Sequence, residues 1–225
     1  MIDLILKFPF PYRFYQNFVR SKYDEYNFIK FIFSKIRNKR NIRVLDLCCG
    51  DSYVLNFIVN DIKAYLGVDN NKYYLSLCKK KWNKFNFLDL DITEQKNTKY
   101  FKQFKPNFIF MNGALHHLDN KTVKKVNKFI IKNFPKATFL SIDPVIHNNK
   151  SINKLMIKFD RGKFIKDKVK LTKMMINFKY LIIDDFYKMS FKNIFHYRNL
   201  DLSKLYEEWC LKISPNKKSM NFTQI

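Results

Sequence analysis

The chain has 225 residues, 47% of them hydrophobic and 17% aromatic, with 4 Gly and 6 Pro. That length and composition suit one globular domain with a sizeable core and exclude a disordered or linker-dominated chain. The net charge of +24 reads either as attraction to nucleic acid, an anionic membrane or an acidic substrate, or as the Lys- and Asn-rich usage of an AT-rich coding sequence; the scattered lysines, with Lys79-Lys80-Lys81 the longest run, favour the second.

Residues 1–23 are aromatic and basic, and Pro9 and Pro11 break any long helix there. This segment is read either as packing on the core or as a wall of a substrate pocket. Phe28, Ile29, Ile32, Phe33 and Ile36 recur at helical spacing and predict a helix over 24–36. An apolar strand follows at 42–47, then a turn of small residues, Cys48-Cys49-Gly50, then a helix at 52–59 with Asp51 or Ser52 as its cap. A second strand at 64–68 ends on Asp69, and Asn70 or Asn71 caps the next helix, which carries Tyr73, Tyr74, Leu77 and Cys78. A third strand at 85–90 runs into Asp91, and a fourth at 108–111 into Asn112-Gly113. Asp119 or Asn120 caps a helix whose Val123, Val126, Ile130 and Phe134 share one face. A fifth strand at 137–142 ends on Asp143-Pro144.

Strands alternating with helices from 42 to 143 predict a mostly parallel sheet with right-handed crossovers. Helices are expected further on at 152–159, 169–178 and 202–211, with two late strands at 180–183 and 191–197 forming an antiparallel edge, and a loose tail at 214–225. Open parallel sheets bind ligands beyond the carboxyl ends of their strands. Those ends carry Asp46, Asp69, Asp91, Asn112 and Asp143, the rim expected of a polar pocket.

Cys48, Cys49, Cys78 and Cys210 contain no C-x-x-C pair, the adjacency of the first two gives no disulfide framework, and 4 His make a zinc site unexpected. Free thiols suit a reducing cytosol, so a cytoplasmic location is expected. No signal-peptide layout is seen, and no stretch approaches the roughly 18 uncharged apolar residues of a membrane span.

The sharpest signal is a combination. The strand-turn-helix around Gly50 is followed, 19 residues later, by Asp69 at the end of the next strand. An acid about 20 residues on is the spacing that places a carboxylate on the hydroxyls of a ribose; the other reading of Asp69 is a helix cap. Val44-Leu45-Asp46-Leu47-Cys48-Cys49-Gly50 resembles the first motif, V-L-D-L-G-C-G-T-G, of the class I S-adenosylmethionine-dependent methyltransferases. Asn112-Gly113-Ala114-Leu115-His116-His117-Leu118 is similar to their fourth-strand motif, and Phe139-Leu140-Ser141-Ile142-Asp143-Pro144 to their fifth strand. The likeness runs in strict order from about 40 to 145. A weaker one, in the P-x-x-Y segment from Pro9 to Tyr12 and in Asp160-Arg161-Gly162, points to a small bacterial-type subgroup.

The resemblance implies a three-layer α/β/α Rossmann-like sandwich: a mostly parallel seven-stranded sheet with an antiparallel edge strand. It implies one domain over 1–213, with 1–40 an N-terminal aromatic and helical segment, 41–145 the cofactor half and 146–213 the substrate side. It implies a methyltransferase with S-adenosylmethionine as cofactor and a small-molecule acceptor. Asp46, Cys48 and Gly50 are then expected at the amino-acid end of the cofactor, Asp69 and Asn70 at its ribose, Asp91 (or Asp89) and Ile92 at its adenine, and Asn112 and Gly113 beside the methyl. His117, His116 and Asp143 are the candidate bases, the alternative for the histidines being one packed and one solvated. Arg161 and Lys163 are candidates for an anionic substrate. Cys48 and Asp51-Ser52 depart from the motif, and Asp51 is read as a helix cap or as a partner for the cofactor's ammonium. Two other functions compete: an RNA or protein methyltransferase, prompted by the charge though without the N/D-P-P-Y/F motif of base-nitrogen methylation, and a non-catalytic protein of the same fold.

Overall fold

The computed structural model describes residues 24–36, 41–92, 94, 97–146, 164–183 and 192–213. The aromatic stretch 1–23, the helix expected at 152–159, Asp160-Arg161-Gly162, Lys163 and the tail 214–225 lie outside them.

The elements follow the alternation read from the sequence: α1 (Asp24–Lys35), β1 (Arg43–Leu47), α2 (Leu55–Ile58), β2 (Ala64–Asp69), α3 (Lys72–Lys81), β3 (Asn86–Asp89), α4 (Thr98–Phe104), β4 (Phe108–Asn112), a 3-10 turn (Leu115–His117), α5 (Asn120–Asn133), β5 (Thr138–Val145), α6 (Lys168–Met174), β6 (Lys179–Ile183), β7 (Lys192–Arg198) and α7 (Leu202–Ile213). The seven strands form one sheet in the order β3-β2-β1-β4-β5-β7-β6. β1 to β5 pair in parallel, while β7 runs antiparallel between β5 and β6, and β6 forms that margin of the sheet.

Alternation along the central strands sorts the core into two faces. Val44, Phe108 and Phe110 pack with Phe28, Ile32 and Phe33 of α1, Leu55 of α2, and Tyr206 and Trp209 of α7. Leu45, Leu47, Ile109 and Met111 pack on the opposite face with Val123, Val126 and Ile130 of α5 and Leu171 of α6. Both faces of β1 and β4 are therefore covered, which is why these strands read as continuous apolar runs rather than as alternating ones. The outer face of α5 carries Lys121, Lys124, Lys125, Lys128 and Lys132, all exposed, so much of its charge sits in solvent. Among the described residues no helix is long and apolar enough to cross a membrane.

Three local expectations change. α2 starts only at Leu55, and neither Asp51 nor Ser52 caps it: Ser52 has φ 52, outside the extended region an N-cap needs, and turns its hydroxyl inward. The crossover from β3 to β4 carries α4, where no helix is named above. β5 continues through Asp143 and Pro144 to Val145, so Asp143 lies within a strand and not at its end. The other caps are settled as Asn71, whose Oδ1 accepts from Tyr73 N and Tyr74 N, and Asp119, which accepts from Thr122 N.

Gly67 of β2 lies opposite Asp46 of β1 and Phe87 of β3. A Cβ there would stand 2.7 Å from Phe87 Cδ1 and 2.9 Å from Cys49 Sγ. Gly67→Ala is therefore expected to destabilise the fold by about 1–3 kcal/mol through overpacking, read as a lower urea midpoint. An unchanged midpoint would mean that Phe87 and Cys49 yield freely.

Candidate functional site

The strand order reverses between β1 and β4, and a cavity of about 600 Å³ opens there at the carboxyl ends of the parallel strands. Its first wall is the turn after β1. Cys48, Gly50 and Ser52 have φ of 59, 54 and 52, so alternate residues of the turn are left-handed. These are the three positions at which the methyltransferase motif has glycine. The backbone thus keeps the glycine conformation at 48 and 52 although side chains are present, at a cost of roughly 1–2 kcal/mol per residue. A Cβ on Gly50 would meet nothing within 4 Å, so the backbone here faces open space, as close approach of a ligand requires.

Two bonds tie the turn to the end of β2. Cys49 N donates to Val68 O at 3.0 Å, and Gly50 N donates to Asp69 Oδ2 at 2.8 Å. The second oxygen of Asp69 accepts from Asn71 N at 2.8 Å. Asp69 is thus a brace between the turn and the start of α3, and it lines the cavity with lone pairs left for a diol. The spacing that suggested a ribose-binding acid also reflects this local bond.

Asp46 is buried and receives the hydroxyl of Tyr65, which also lies 3.1 Å from Ser52 Oγ. Burial outweighs that hydrogen bond and pushes the Asp46 carboxyl up to about 8. Burial also raises the neighbouring thiols, Cys78 to about 11 and Cys48 and Cys49 well above the ordinary thiol range, so Cys48 and Cys49 present neutral thiols to the cavity at pH 7.

Beyond β3, Asp91 and Ile92 reach the cavity, whereas Asp89 points away to Lys72 at 3.7 Å. This separates the two candidates left open by strand register. Asn70, Asn112 and Gly113 complete the expected set on the cavity wall. Asn112 Nδ2 donates to Glu25 Oε1 at 3.3 Å, and Asn193 Nδ2 donates to Glu25 Oε2 at 3.0 Å. The buried Glu25 of α1 thereby joins β4 to β7 beneath the cavity, and Tyr26 beside it lines the wall. Neither residue stands out in the sequence, nor does Tyr65, whose only signal is a polar tip in an apolar strand.

Of the three candidate bases, only His117 lines the cavity. His116 and Asp143 lie below it as a buried pair, His116 Nδ1 to Asp143 Oδ1 at 3.0 Å, with His116 N donating to the same oxygen at 3.2 Å. Strand β5 carries Asp143 inward, so this carboxyl cannot meet an acceptor in the cavity directly. The His117 ring packs on the His116 ring with centroids 4.1 Å apart. Among the described residues lining the cavity are four aspartates, Asp46, Asp51, Asp69 and Asp91, and neither a lysine nor an arginine.

By sequence the chain matches no protein-family model and no curated protein. By structure it is similar to an S-adenosylmethionine-dependent methyltransferase from Anabaena variabilis, with TM-score 0.60 and 12% identity over 80% of this chain and 86% of that one. It is similar to magnesium protoporphyrin IX methyltransferase from Synechocystis, solved with bound S-adenosylhomocysteine, with TM-score 0.56 and 10% identity over 78% and 82%. With mitomycin 7-O-methyltransferase the TM-score is 0.55 at 10% identity, and the 78% of this chain that aligns spans 54%, about half, of that protein. The fold is that of S-adenosylmethionine-dependent methyltransferases. Within this methyltransferase fold, the stretch from 40 to 145 that carries the motif resemblance comprises β1 to β5 and their connections.

Proposed function

We propose that the chain is a methyltransferase that uses S-adenosylmethionine and acts on a small molecule. The observation that carries this reading is the character of the cavity lining: Asp51, Asp69 and Asp91 beside the buried Asp46 and, among the described lining residues, no lysine or arginine, in a chain of net charge +24. A cavity of that sign favours a cationic ligand and opposes a phosphate backbone. S-adenosylmethionine supplies an electrophilic methyl group on a sulfonium and carries net positive charge.

In this reading the turn Cys48–Gly50 and Asp46 take the amino-acid end, Asp69 and Asn70 the ribose hydroxyls, Asp91 and Ile92 the adenine, and Asn112 and Gly113 border the transferred methyl. Transfer from a sulfonium needs chiefly in-line placement of the acceptor, which the rigid strand ends provide. His117 stands on the wall as the group to take a proton from an O–H or N–H acceptor. The remaining acceptor side is assigned to Tyr26 and Tyr53. The exposed lysines of α5 lie outside the cavity lining, so the net charge does not argue for a nucleic-acid acceptor at this site.

Calorimetry with S-adenosylmethionine tests the proposal. Asp46, raised to about 8, is mostly protonated at pH 7 in the free protein and ionises beside a cation. Binding at pH 7 is expected to release close to one proton, seen as a dependence of the heat on buffer ionisation enthalpy. Affinity should rise by up to about tenfold per pH unit between pH 6 and 7. Asp46→Asn should abolish the release. The absence of both heat and thermal stabilisation at millimolar ligand would sink the methyltransferase reading.

A further inference from the structure

The 3-10 turn Leu115–His117 holds His117 against the cavity, and it is held from both ends by groups far away in sequence. At its start sits the buried Asp143, close to the backbone amides of Ala114, Leu115 and His116; burial raises this carboxyl well above its ordinary value, and those amides offset that only in part. At its end sits Lys166, only 5% exposed. Its Nζ donates to Leu115 O at 3.0 Å, Leu118 O at 2.6 Å and Phe164 O at 2.8 Å. An ammonium has three donors and a neutral amine two, so three carbonyl partners fit the charged form. The segment around Lys166 is itself fixed, since Phe164 N donates to His116 O at 3.0 Å and Ile146 N to Lys166 O at 3.2 Å.

We propose that Lys166 is a positioning residue for His117: its ammonium at the carbonyl end of the turn, with Asp143 at the amide end, clamps the turn and so fixes the imidazole on the cavity wall. At the carbonyl end the arrangement follows the preference of cations for that end of a helical turn, while at the other end the Asp143 carboxyl accepts from His116 N. Lys166 does not line the cavity and its Nζ bonds to the carbonyls of Leu115 and Leu118, so it acts through the backbone of 115–118. The assignment rests on the methyltransferase reading only in naming what His117 faces.

The test compares wild type, Lys166→Met and Lys166→Arg, with S-adenosylhomocysteine affinity by calorimetry as the control for the cofactor half. The readouts are ¹⁵N-histidine ring resonances and amide hydrogen exchange. Lys166→Met is expected to leave affinity within about twofold of wild type, to shift or broaden the His117 ring signals, and to speed exchange of the His117 and Leu118 amides at least tenfold. Lys166→Arg, which keeps the charge and the donors, should restore both in large part. A Met variant that binds normally with unchanged ring signals and exchange overturns the proposal. Should that variant not fold, the wild type decides: a slowly exchanging Nζ ammonium cross-peak for Lys166 supports the clamp, and its absence refutes it. Lack of S-adenosylhomocysteine and S-adenosylmethionine binding by the wild type would refute the methyltransferase reading while leaving the NMR arms of this test intact.

Discussion

Asp69→Ala is expected to weaken S-adenosylmethionine binding by about 100-fold. The carboxylate carries two kinds of bond. Its oxygens accept from Gly50 N and Asn71 N at 2.8 Å each, which sets the distance between the turn after β1 and the start of α3. In the proposed complex its remaining lone pairs accept both ribose hydroxyls. Hydrogen bonds to a charged group contribute about 1.5–3 kcal/mol each, so losing two costs about 3 kcal/mol at the lower end. That corresponds to two orders of magnitude in Kd. Asp89→Ala is the matched control, because Asp89 sits at the next strand end but faces Lys72 and not the cavity. Its Kd should equal the wild type's. Equal affinities for Asp69→Ala and wild type would remove the ribose assignment.

His196→Leu is expected to change the acid tolerance of the fold. His196 of β7 is fully buried, opposite Ser141 of β5 and beside Tyr180 of β6. Neither ring nitrogen has a hydrogen-bond partner among the described residues, and burial holds the imidazole down at about 3. The folded chain therefore keeps this ring neutral, while the unfolded chain protonates it below about 6.5. Stability is complete above that value and is lost as pH falls from 6.5 towards 3. Between pH 7 and pH 5 the loss is about 2 kcal/mol. Asp46 works in the opposite direction, because its carboxyl is raised in the fold and ionised in the unfolded chain above its ordinary value of 3.8. The wild type alone thus mixes both effects, and the difference from the variant isolates His196. At pH 7 the Leu variant should be as stable as wild type or more so, since an apolar group replaces unpaired polar atoms. Urea titrations at the two pH values should show its advantage growing by about 2 kcal/mol at pH 5. A gap that stays constant would mean the ring finds a partner for its proton.

Much of the site was legible because it is local. The turn at 48–52 and the acid at Asp69 lie within a single β-α-β unit and the cap at Asn71 directly after it, where spacing along the chain sets spacing in the fold. Even the departures from the motif became readable only as conformation: Cys48 and Ser52 look like lost glycines in the sequence, yet both hold the left-handed backbone. Strand ends were less reliable. Asp91 and Asp89 differ by two residues and so by no change of face in an ideal strand; what separates them is that β3 stops at Asp89. Asp143 was misplaced for the opposite reason, since β5 runs on past Pro144 and carries the carboxyl inward.

The sequence by itself determined the α/β alternation, the two-faced core and the row of polar residues at the strand ends, because periodicity and local spacing encode them. Only the tertiary structure decided which of those groups share one cavity, that Asp46 is answered by Tyr65, that Glu25 ties Asn112 to Asn193, and that Lys166 closes the turn bearing His117. Each of these pairings spans a crossover or a change of layer. Among 43 basic residues Lys166 has no signature of its own; it acquires its role only when three carbonyls converge on it.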